Sequence, residues 1–281
     1  MIRDSEISKI YENVIVENDK DLIDLFIGRE KMTRIILSGA LGKMGKAITS
    51  CVVNRDDCEI VAGVDIANEE CSFPIFKSFN EINVDANVII DFSHPSVLND
   101  LLTFAKEKKV PAVIATTGLN EEQIESIKVA SNDVPLFFSA NMSIGVSLVS
   151  ELAKKAAKVL QGSFDIEIVE AHHNQKIDAP SGTALMLADS ISEALQEKPI
   201  YEFDRHSKRM KRTKNEIGIH AVRGGTIVGE HEIIFAGPDE VIKISHSAYS
   251  KQLFANGSVN AGLFLVGKEP GFYSMKDLVN E

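Results

Sequence analysis

The sequence is poor in cysteine, with only Cys51, Cys58 and Cys71 among its 281 residues. The three lie within one stretch of 21 residues and contain no Cys-x-x-Cys pair. Neither a disulfide framework nor a thiolate zinc site is therefore expected. No second cluster of histidine or carboxylate residues has the spacing of zinc ligands, so the sequence predicts no metal.

Long hydrophobic runs and an excess of basic residues are also missing. No apolar stretch approaches the ~20 residues that a membrane span needs, and the acidic N-terminus lacks the positive flank and apolar core of a signal peptide. Thirty basic residues against 41 acidic ones give a formal net charge of -11. Phosphate backbones and anionic lipids repel such a chain, so we expect a cytoplasmic protein that binds neither nucleic acid nor membrane.

What is present is an ordinary globular composition, 44% hydrophobic and 25% charged. At about 150 residues per domain, the length suggests two domains. Residues 1–32 form an N-terminal extension with a weak amphipathic pattern, which is either a docking helix or a mobile arm. Met32 also offers an alternative start for the pattern that follows.

From residue 34 onward, short apolar runs alternate with amphipathic segments. Strands are predicted at 35–37, 59–64, 87–91, 111–115 and 136–138, with helices at 43–53, 98–108 and 121–131. This alternation predicts a Rossmann-type, doubly wound parallel sheet in an α/β protein. A second α/β domain with an open mixed sheet is predicted from helices at 144–160 and 184–195 and strands at 164–171, 217–222, 231–235 and 241–246. Residues 252–281 are predicted to return as helix onto the first domain.

A glycine-rich loop directly follows the first predicted strand. Gly39, Gly42 and Gly45 have the spacing of the dinucleotide fingerprint, which needs a tight turn, close approach to a pyrophosphate and close packing of helix on strand. Asp65 stands 20 residues after Gly45, at the end of the second strand, where a carboxylate can accept hydrogen bonds from an adenine ribose. A glycine-rich turn without a ligand is the less favoured interpretation.

The same aspartate bears on the choice of cofactor. Asp65 repels a 2′-phosphate and is followed by Ile66 rather than by a base, so NADH is favoured over NADPH. Lys43 and Lys46 weaken this preference, because either ammonium could reach the phosphate and offset the repulsion. We therefore expect NADH to be preferred, with NADPH possible.

The densest group of reactive side chains lies between residues 170 and 183. His172 and His173 are adjacent on extended backbone and point to different sides. Ser181, Gly182 and Thr183 supply hydroxyl and amide groups at a helix N-terminus, and Lys176 adds a positive charge. Such a site favours a small substrate with one or two carboxylates. Each residue taken singly also has a structural interpretation as a cap, a surface lysine or a hydrogen-bonded histidine.

Other basic and histidine residues are assigned structural roles. Six bases fall within ten residues from Arg205 to Lys214. A solvated loop is the favoured interpretation, because no aromatic residues are interleaved and the chain is acidic. Some of these bases could instead attract an anionic substrate. Predicted strands of the second domain carry His220, His231 and His246, for which a structural role is favoured.

Six motifs, spread from the glycine loop to residue 240, match one known family. They are GALGKMG at 39–45, DFSHP at 91–95, ATTG at 115–118, SANMSIG at 139–145, EAHHNQKIDAPSGTA at 170–184 and GIHAVRGGTIVGEHEIIFAGPDE at 218–240. Through them the sequence resembles the 4-hydroxy-tetrahydrodipicolinate reductases, also called dihydrodipicolinate reductases, of lysine and diaminopimelate biosynthesis. It departs from the common family pattern at Lys43, Ala115, Met142 and Lys251.

The resemblance implies a role for each matching residue. His172 matches the catalytic acid/base and Lys176 the proposed proton donor. The substrate's carboxylates would be contacted by His173, Lys176, Ser181, Gly182 and Thr183. The nicotinamide cofactor would be lined by Gly39, Ala40, Leu41, Gly42, Lys43, Met44, Asp65, Ala115, Thr116, Thr117, Ser139, Ala140, Asn141 and Met142. Members of this family are typically homotetramers, which implies the same assembly here.

Together these expectations describe a two-domain reductase. Residues 33–140 with 252–281 form the predicted dinucleotide-binding domain, and residues 141–251 the substrate-binding and oligomerisation domain. The resemblance implies reduction of 4-hydroxy-tetrahydrodipicolinate to tetrahydrodipicolinate with NAD(P)H. Two alternatives stay open: a different NAD(P)-dependent amino or oxo acid dehydrogenase, and a non-catalytic regulatory protein that senses dinucleotides.

Overall fold

The protein is described here by a computed structural model that covers residues 32–67 and 69–281. The predicted N-terminal extension, apart from Met32, lies outside the described residues. Two sheets organise this part of the chain, one of seven strands and one of five. Along the same ranges, no helix has the length and apolar character needed to cross a membrane. Cys51, Cys58 and Cys71 are free thiols, and the first two are buried.

The first sheet is parallel throughout and has the strand order β12-β6-β5-β4-β1-β2-β3. Its strands are β1 (Thr33–Ser38), β2 (Cys58–Val64), β3 (Ile75–Phe76), β4 (Val88–Asp91), β5 (Ala112–Ile114), β6 (Pro135–Phe138) and β12 (Gly271–Tyr273). Nearly every residue of β4 and β5 is buried, as expected for strands covered on both faces.

Helices cover both faces of the first sheet. One face packs against α1 (Lys43–Val52) and α6 (Gln252–Leu265). The other face packs against α2 (Leu98–Lys108) and α3 (Glu121–Ala130). This is the predicted doubly wound arrangement, in which the carboxyl ends of the strands open at one edge of the sheet.

The second sheet is mixed and has the order β11-β10-β7-β9-β8. It contains β7 (Asp165–His172), β8 (Ile200–Glu202), β9 (Glu216–Arg223), β10 (Gly229–Ala236) and β11 (Val241–Ala248). β7 and β8 run parallel to β9, whereas β10 is antiparallel to both β7 and β11. Two helices, α4 (Ile144–Leu160) and α5 (Gly182–Ala194), share an apolar core with one face of this sheet.

The C-terminal stretch differs in part from the sequence prediction. Helix α6 returns to the first sheet as expected, but residues 271–273 form strand β12 beside β6 before the short helix α7 (Met275–Val279). The expectation of helix throughout 252–281 was therefore wrong. The reason is local, because Gly267 with φ +80° ends the helical region and only three residues then pair as an edge strand.

Charged side chains of the basic stretch lie against the second sheet. Arg205 pairs with Glu216 and Lys208 with Glu202. Arg212 contacts Glu167 at 2.9 Å between its Nε and the carboxylate oxygen. Half of the six bases are thus neutralised by acids of strands β7, β8 and β9, so this loop presents less positive charge than its sequence suggests.

Candidate active site

The glycine loop joins β1 to α1 in the conformation that a dinucleotide requires. Gly39 has φ +74°, and a Cβ there would lie 2.6 Å from the carbonyl oxygen of Phe92. A Cβ on Gly45 would lie 2.3 Å from the carbonyl oxygens of Gly39 and Ala40, so helix and loop touch closely. At Gly42 only one backbone oxygen comes within 4 Å of such a Cβ, which leaves open space beside the loop. The loop therefore fits a pyrophosphate group.

The start of α1 is equipped for an anion. Gly42 precedes its first turn, and no side chain caps the helix or places a carboxylate there. The first amide groups of a helix have no partner within the helix. Because they also lie at the positive end of the helix dipole, they favour a phosphate.

Asp65 follows β2 and holds the loop from the other side. Its Oδ2 accepts a hydrogen bond from the amide of Leu41 at 2.9 Å, and its Oδ1 accepts one from the amide of Ala67 at 3.0 Å. The carboxylate is only partly buried, and each oxygen has a further lone pair. Asp65 can therefore brace the glycine loop and still accept hydrogen bonds from a ribose.

A lysine that the sequence analysis did not consider lies beside Asp65. The Lys77 ammonium donates hydrogen bonds to the carbonyl oxygens of Ile66 and Ala67, both at 2.8 Å. Lys46, one of the two lysines that were considered, instead pairs with Glu69 at 2.9 Å. A positive charge near the end of β2 thus comes from Lys77, directly after β3, as well as from the glycine loop and α1.

A cavity of about 350 Å³ opens at the carboxyl ends of the central strands. Its lining residues are Met44, Phe92, Ser93, Ala115, Thr116, Thr117, Ala140, Met142, Lys251 and Phe254. Six of these were predicted to line the cofactor, and they come from three separate segments of the chain. Clefts at this edge of a parallel sheet are the usual ligand sites of doubly wound folds.

Asp91 supports the floor of this cavity from beneath. Its carboxylate is buried at the end of β4 and accepts hydrogen bonds from the hydroxyls of Ser93 and Thr116, both at 2.6 Å. Burial raises the pKa of Asp91, while these hydrogen bonds act in the opposite direction. The residue thus ties together two lining segments without reaching the cavity surface itself.

The predicted reactive cluster lies at the end of β7 in the second sheet. His172 is 9% exposed, and its Nδ1 lies 2.6 Å from the carboxylate of Glu170, which is fully buried. Arg223 on β9 binds both oxygens of the same carboxylate at 2.8 Å. Since Nδ1 faces Glu170, only Nε2 of His172 is free to meet a ligand.

Ser181 is fully engaged within the protein. Its hydroxyl accepts a hydrogen bond from the amide of Ala184 and lies 3.0 Å from Nε2 of His231, while its own amide donates to Glu170. His231 is buried, and its ring centroid is 5.3 Å from that of His172. Burial, followed by the nearby His172, lowers the pKa of His231 to about 4.

A carboxylate already lies beside Lys176. The Lys176 ammonium is 2.8 Å from Oδ1 of Asp178, in the loop between β7 and α5. The hydrogen bond from Lys176 is the main reason why the pKa of Asp178 is lowered, and the amide of Gly182 adds to the effect. The Asp178 carboxylate thus interacts with both the Lys176 ammonium and the start of α5.

One hydrogen bond connects the two predicted groups of site residues. The amide of the Asn141 side chain donates to the hydroxyl of Thr183 at 3.2 Å. Asn141 belongs to the segment after β6 that was predicted to line the cofactor, and its Oδ1 accepts the amide of Ser143 just before α4. Thr183 lies in the first turn of α5. The contact therefore brings the carboxyl edge of the first sheet to the reactive loop of the second.

Several residues of this region were missed by the sequence analysis. Lys77, Phe92, Ser93, Glu170, Arg223 and Phe254 were assigned no role, and His231 was assigned only a structural one. Glu170 and Arg223 lie within the quoted family motifs, so the sequence itself pointed to the segments that contain them. Their pairing was not predictable from the sequence, because it depends on the register in which β7 and β9 align.

Comparison with known proteins identifies the family. Two consecutive family models match the chain, "Dihydrodipicolinate reductase, N-terminus" over residues 33–142 and "Dihydrodipicolinate reductase, C-terminus" over residues 145–279. The chain belongs to the dihydrodipicolinate reductase family. The resemblance found in the sequence is thereby confirmed, and with it the class of NAD(P)H-dependent oxidoreductases.

Relatives of the dihydrodipicolinate reductase family match almost the whole described chain. A 4-hydroxy-tetrahydrodipicolinate reductase from Caldanaerobacter subterraneus subsp. tengcongensis is 52% identical over 250 residues, covering 89% of this chain and 99% of the relative. The enzyme of the same name from Clostridium tetani is 49% identical over 250 residues, covering 89% and 98%.

Solved structures agree with the fold. A dipicolinate-bound dihydrodipicolinate reductase from Paenisporosarcina sp. TG-14 has a TM-score of 0.75 and 27% identity, covering 87% of this chain and 98% of the other. A myo-inositol dehydrogenase from Corynebacterium glutamicum has a TM-score of 0.54 at 16% identity, covering 89% and 93%, and shows the fold alone. The predicted fold class, a Rossmann-type sheet with a second mixed sheet, is confirmed.

Proposed function

We propose that this chain reduces 4-hydroxy-tetrahydrodipicolinate to tetrahydrodipicolinate with NAD(P)H, in diaminopimelate and lysine biosynthesis. The substrate follows from the names of relatives about half identical to this chain. The observation that carries the proposal is the hydrogen bond from Asn141 to Thr183, because it joins the cofactor-binding edge to the reactive loop. Both elements of a reductase, a hydride donor and an anionic acceptor, can then meet.

The dinucleotide would be held by the residues predicted from the sequence. Gly39–Met44 and the amides of α1 would take the pyrophosphate, and Asp65 the adenine ribose. The nicotinamide end would lie in the cavity at the ends of β4, β5 and β6, against Ala115–Thr117 and Ser139–Met142. When bound, this cofactor supplies a hydride to the conjugated cyclic imine that forms when the substrate loses water.

The substrate's carboxylates would bind at the start of α5 and beside Lys176. The ion pair between Asp178 and Lys176 supports this proposal, and a substrate carboxylate would replace Asp178 there. The amide of Gly182, the hydroxyl of Thr183 and the side chain of His173 complete the proposed contacts. Ser181 was predicted as a further contact, and we propose that it acts by fixing the position of the helix start, since its polar groups are engaged.

Hydride addition leaves the substrate with an electron pair that takes up a proton. His172 can donate from Nε2, while Lys176 stabilises the developing negative charge and is itself able to donate. Holding the dinucleotide and the substrate side by side would orient the reacting groups, which is where much of the rate enhancement would arise. We propose that His172 and Lys176 are both catalytic residues.

For cofactor choice we propose a preference for NADH, with measurable use of NADPH. Asp65 disfavours a 2′-phosphate, Lys46 is partly neutralised by Glu69, and the Lys77 ammonium is held by two backbone carbonyls. Lys77 remains a cation close to that position, so the discrimination should be modest. A KM for NADPH much lower than that for NADH would contradict this proposal.

We further propose that the chain assembles as a homotetramer in the cytoplasm, with residues 33–140 plus 252–281 as the dinucleotide-binding domain. Residues 141–251 would form the substrate-binding and oligomerisation domain. The long edge strand β11 offers unpaired backbone groups that suit an interface. Light scattering coupled to size-exclusion chromatography measures the mass, and a monomer would contradict the assembly.

The decisive experiment follows dinucleotide oxidation with the true substrate. The substrate is generated in the cuvette from pyruvate and aspartate semialdehyde by a separate synthase. We expect rapid oxidation of NADH, and slower oxidation of NADPH, only when synthase, both precursors and this protein are all present. Absence of oxidation with either dinucleotide would refute the proposed function.

A further inference from the structure

Glu170 is a buried carboxylate to which the proposed reaction assigns no role. It lies on the inner face of β7, between the apolar core and His172, and is fully inaccessible to solvent. Burying a charge costs several kcal/mol unless the charge is paired and hydrogen-bonded. Four donors therefore converge on it from three segments: two from Arg223, one from the amide of Ser181 and one from Nδ1 of His172.

The pairing keeps Glu170 ionised. Burial acts to raise the pKa of this carboxyl, but hydrogen bonds from Arg223, then His172 and the amide of Ser181, outweigh it, and the pKa is lowered. Arg223 is in turn held in place, because its guanidinium also donates to the carbonyl oxygen of Asp178 at 2.6 Å. The carboxylate, the guanidinium and the imidazole thus form one rigid group.

This arrangement defines the orientation of the imidazole. With Glu170 accepting from Nδ1, the neutral ring keeps its proton on Nδ1, and the charged ring carries its second proton on Nε2. A Cβ at residue 229 would lie 3.1 Å from that Nε2, so glycine leaves the space beside it open. The proton available for transfer is therefore the one on Nε2.

The charges around His172 come from every element packed against its ring. Glu170 on β7 contacts the ring, Arg223 on β9 pairs with Glu170, and His231 on β10 packs edge-on against the ring. His246 on β11 and Lys176 act on His231, and Asp178 pairs with Lys176. His231 stays neutral because of its lowered pKa, and the pKa of His246 is lowered too by burial. Lys176 and Asp178 offset each other. Glu170 therefore acts on the ring directly, and Arg223 acts through Glu170.

We infer that Glu170 and Arg223 are positioning residues for His172: the carboxylate holds the ring with Nε2 toward the substrate, and the guanidinium holds the carboxylate in place and opposes its charge. The inference rests on the proposed function, since it assigns His172 the proton donor's role. In the proton-transfer step, the Nε2 proton passes to the substrate carbon, and the neutral ring keeps its other proton on Nδ1, hydrogen-bonded to the Glu170 carboxylate. Solvent then restores the proton on Nε2.

The two positioning residues should shift the protonation of His172 in opposite directions. Removing the charge with Glu170→Gln should move the titration midpoint of the ring to lower pH, and Arg223→Met should move it to higher pH. A charge within a few ångströms changes such a midpoint by about 1 to 3 pH units. Arg223→Lys keeps the charge and should restore most of the wild-type midpoint.

The chain offers a matched control on the opposite face of the same strand. Glu167 also pairs with an arginine and a histidine, Arg212 at 2.9 Å and His220 at 2.7 Å. It plays no part in the proposed reaction. Glu167→Gln should therefore leave both the titration of His172 and the pH profile of kcat unchanged.

The experiment combines NMR with kinetics on the full chain. Ring ¹⁵N and ¹³C signals of labelled histidine are assigned to His172 by comparison with His172→Asn, and their shifts report both midpoint and tautomer without any turnover. Opposite displacements in Glu170→Gln and Arg223→Met, with the alkaline limb of the kcat profile moving in parallel, are expected. Glu170→Gln should also lower kcat by roughly 10²-fold, the scale of acid-base groups, while the KM for dinucleotide stays the same.

The outcomes separate this inference from the proposed function. Unchanged midpoints in both variants, or displacements in the same direction, would overturn the inference even if the wild-type enzyme is fully active. If the wild type does not oxidise dinucleotide, the proposed function fails, whereas the NMR result still decides whether Glu170 and Arg223 control His172. Circular dichroism spectra identical to the wild type exclude misfolding as the cause of either result.

Discussion

His172 and Lys176 lie four positions apart but are held in very different ways. His172 is buried at the end of a strand and fixed by Glu170, whereas Lys176 lies in a loop and pairs with the more exposed Asp178. The imidazole therefore has one defined direction, and the ammonium can follow whichever carboxylate is present. At the scale of the residue, the site combines an imidazole of fixed orientation with a cation in a loop.

Removing either side chain should disable the chemistry. We expect His172→Ala and Lys176→Ala each to lower kcat by roughly 10²-fold or more, the usual contribution of an acid-base group. Lys176→Ala should in addition raise the KM for the dicarboxylate, because it removes a charge from the anion site. Steady-state kinetics measure both effects, with the exposed Lys128→Ala as control. Near-normal turnover of both variants would rule out this site.

His231 should make the stability of the protein depend on pH. Its pKa is about 4 in the folded chain and 6.5 in the unfolded chain, so between these values the unfolded chain binds more protons. The free energy of unfolding should therefore fall as the pH drops from 6.5 to 4, by roughly 3 kcal/mol from this residue. Above pH 6.5, His231 does not make the free energy of unfolding depend on pH.

Denaturant titrations of the wild type and of His231→Gln at several pH values test this. The glutamine variant keeps a hydrogen-bonding side chain near Ser181 but cannot titrate, so the difference between the two curves isolates His231. We expect the difference in the free energy of unfolding between the wild type and the variant to become smaller as the pH falls. Parallel curves over the whole range would show that His231 does not titrate with a lowered pKa.

At the scale of the element, the loop between β1 and α1 is the most tightly constrained part of the cofactor region. Gly45→Ala would place a methyl group 2.3 Å from two backbone oxygens, which cannot move away as a side chain can. Overpacking of this kind costs about 1 to 3 kcal/mol. We expect a lower unfolding midpoint and at least roughly tenfold weaker dinucleotide binding, since a tenfold loss corresponds to about 1.4 kcal/mol.

Fluorescence titration with NADH and chemical denaturation measure these two effects. Ser50→Ala on the exposed side of the same helix is the control, because it changes neither the loop nor the packing. Unaltered NADH binding in Gly45→Ala would show that the close contact of helix and loop is not needed for the cofactor.

Most long elements could be predicted from the sequence, and the exceptions have physical reasons. Strands β3, β8 and β12 have two or three residues each, too few for an alternating pattern to appear. The glycine loop and the loop from His172 to Thr183 could be predicted as site segments because the polar and glycine residues of each loop are close together in the sequence. Glu170 and Arg223 are 53 residues apart, and only the parallel register of β7 and β9 brings them together.

At the scale of the whole molecule, a hydrogen bond links the segment after β6 of the first sheet to the helix α5 that packs on the second sheet. Asn141 donates to Thr183 and also accepts the amide of Ser143 ahead of α4. A ligand that orders the segment after β6 therefore also orders the start of α5. Binding of the dinucleotide should in this way strengthen binding of the dicarboxylate.

Loss of that contact should reduce the coupling. In Asn141→Ala we expect the gain in dipicolinate affinity produced by NADH to fall by about 3- to 10-fold, the value of one hydrogen bond. Calorimetric titration with dipicolinate, with and without NADH, measures it, and Asn132→Ala, far from the contact, is the control. If the gain is the same in both variants, the two sheets are coupled by other contacts.

The pairing of Lys176 with Asp178 bears on the design of inhibitors. A dianionic ligand that enters the site gains the lysine but leaves Asp178 as an anion with no partner, and this loss reduces its net affinity. A zwitterionic compound that adds an amine within reach of Asp178 would keep both charges satisfied. Such a compound should bind more tightly than a simple diacid of the same size, and its advantage should shrink in concentrated salt.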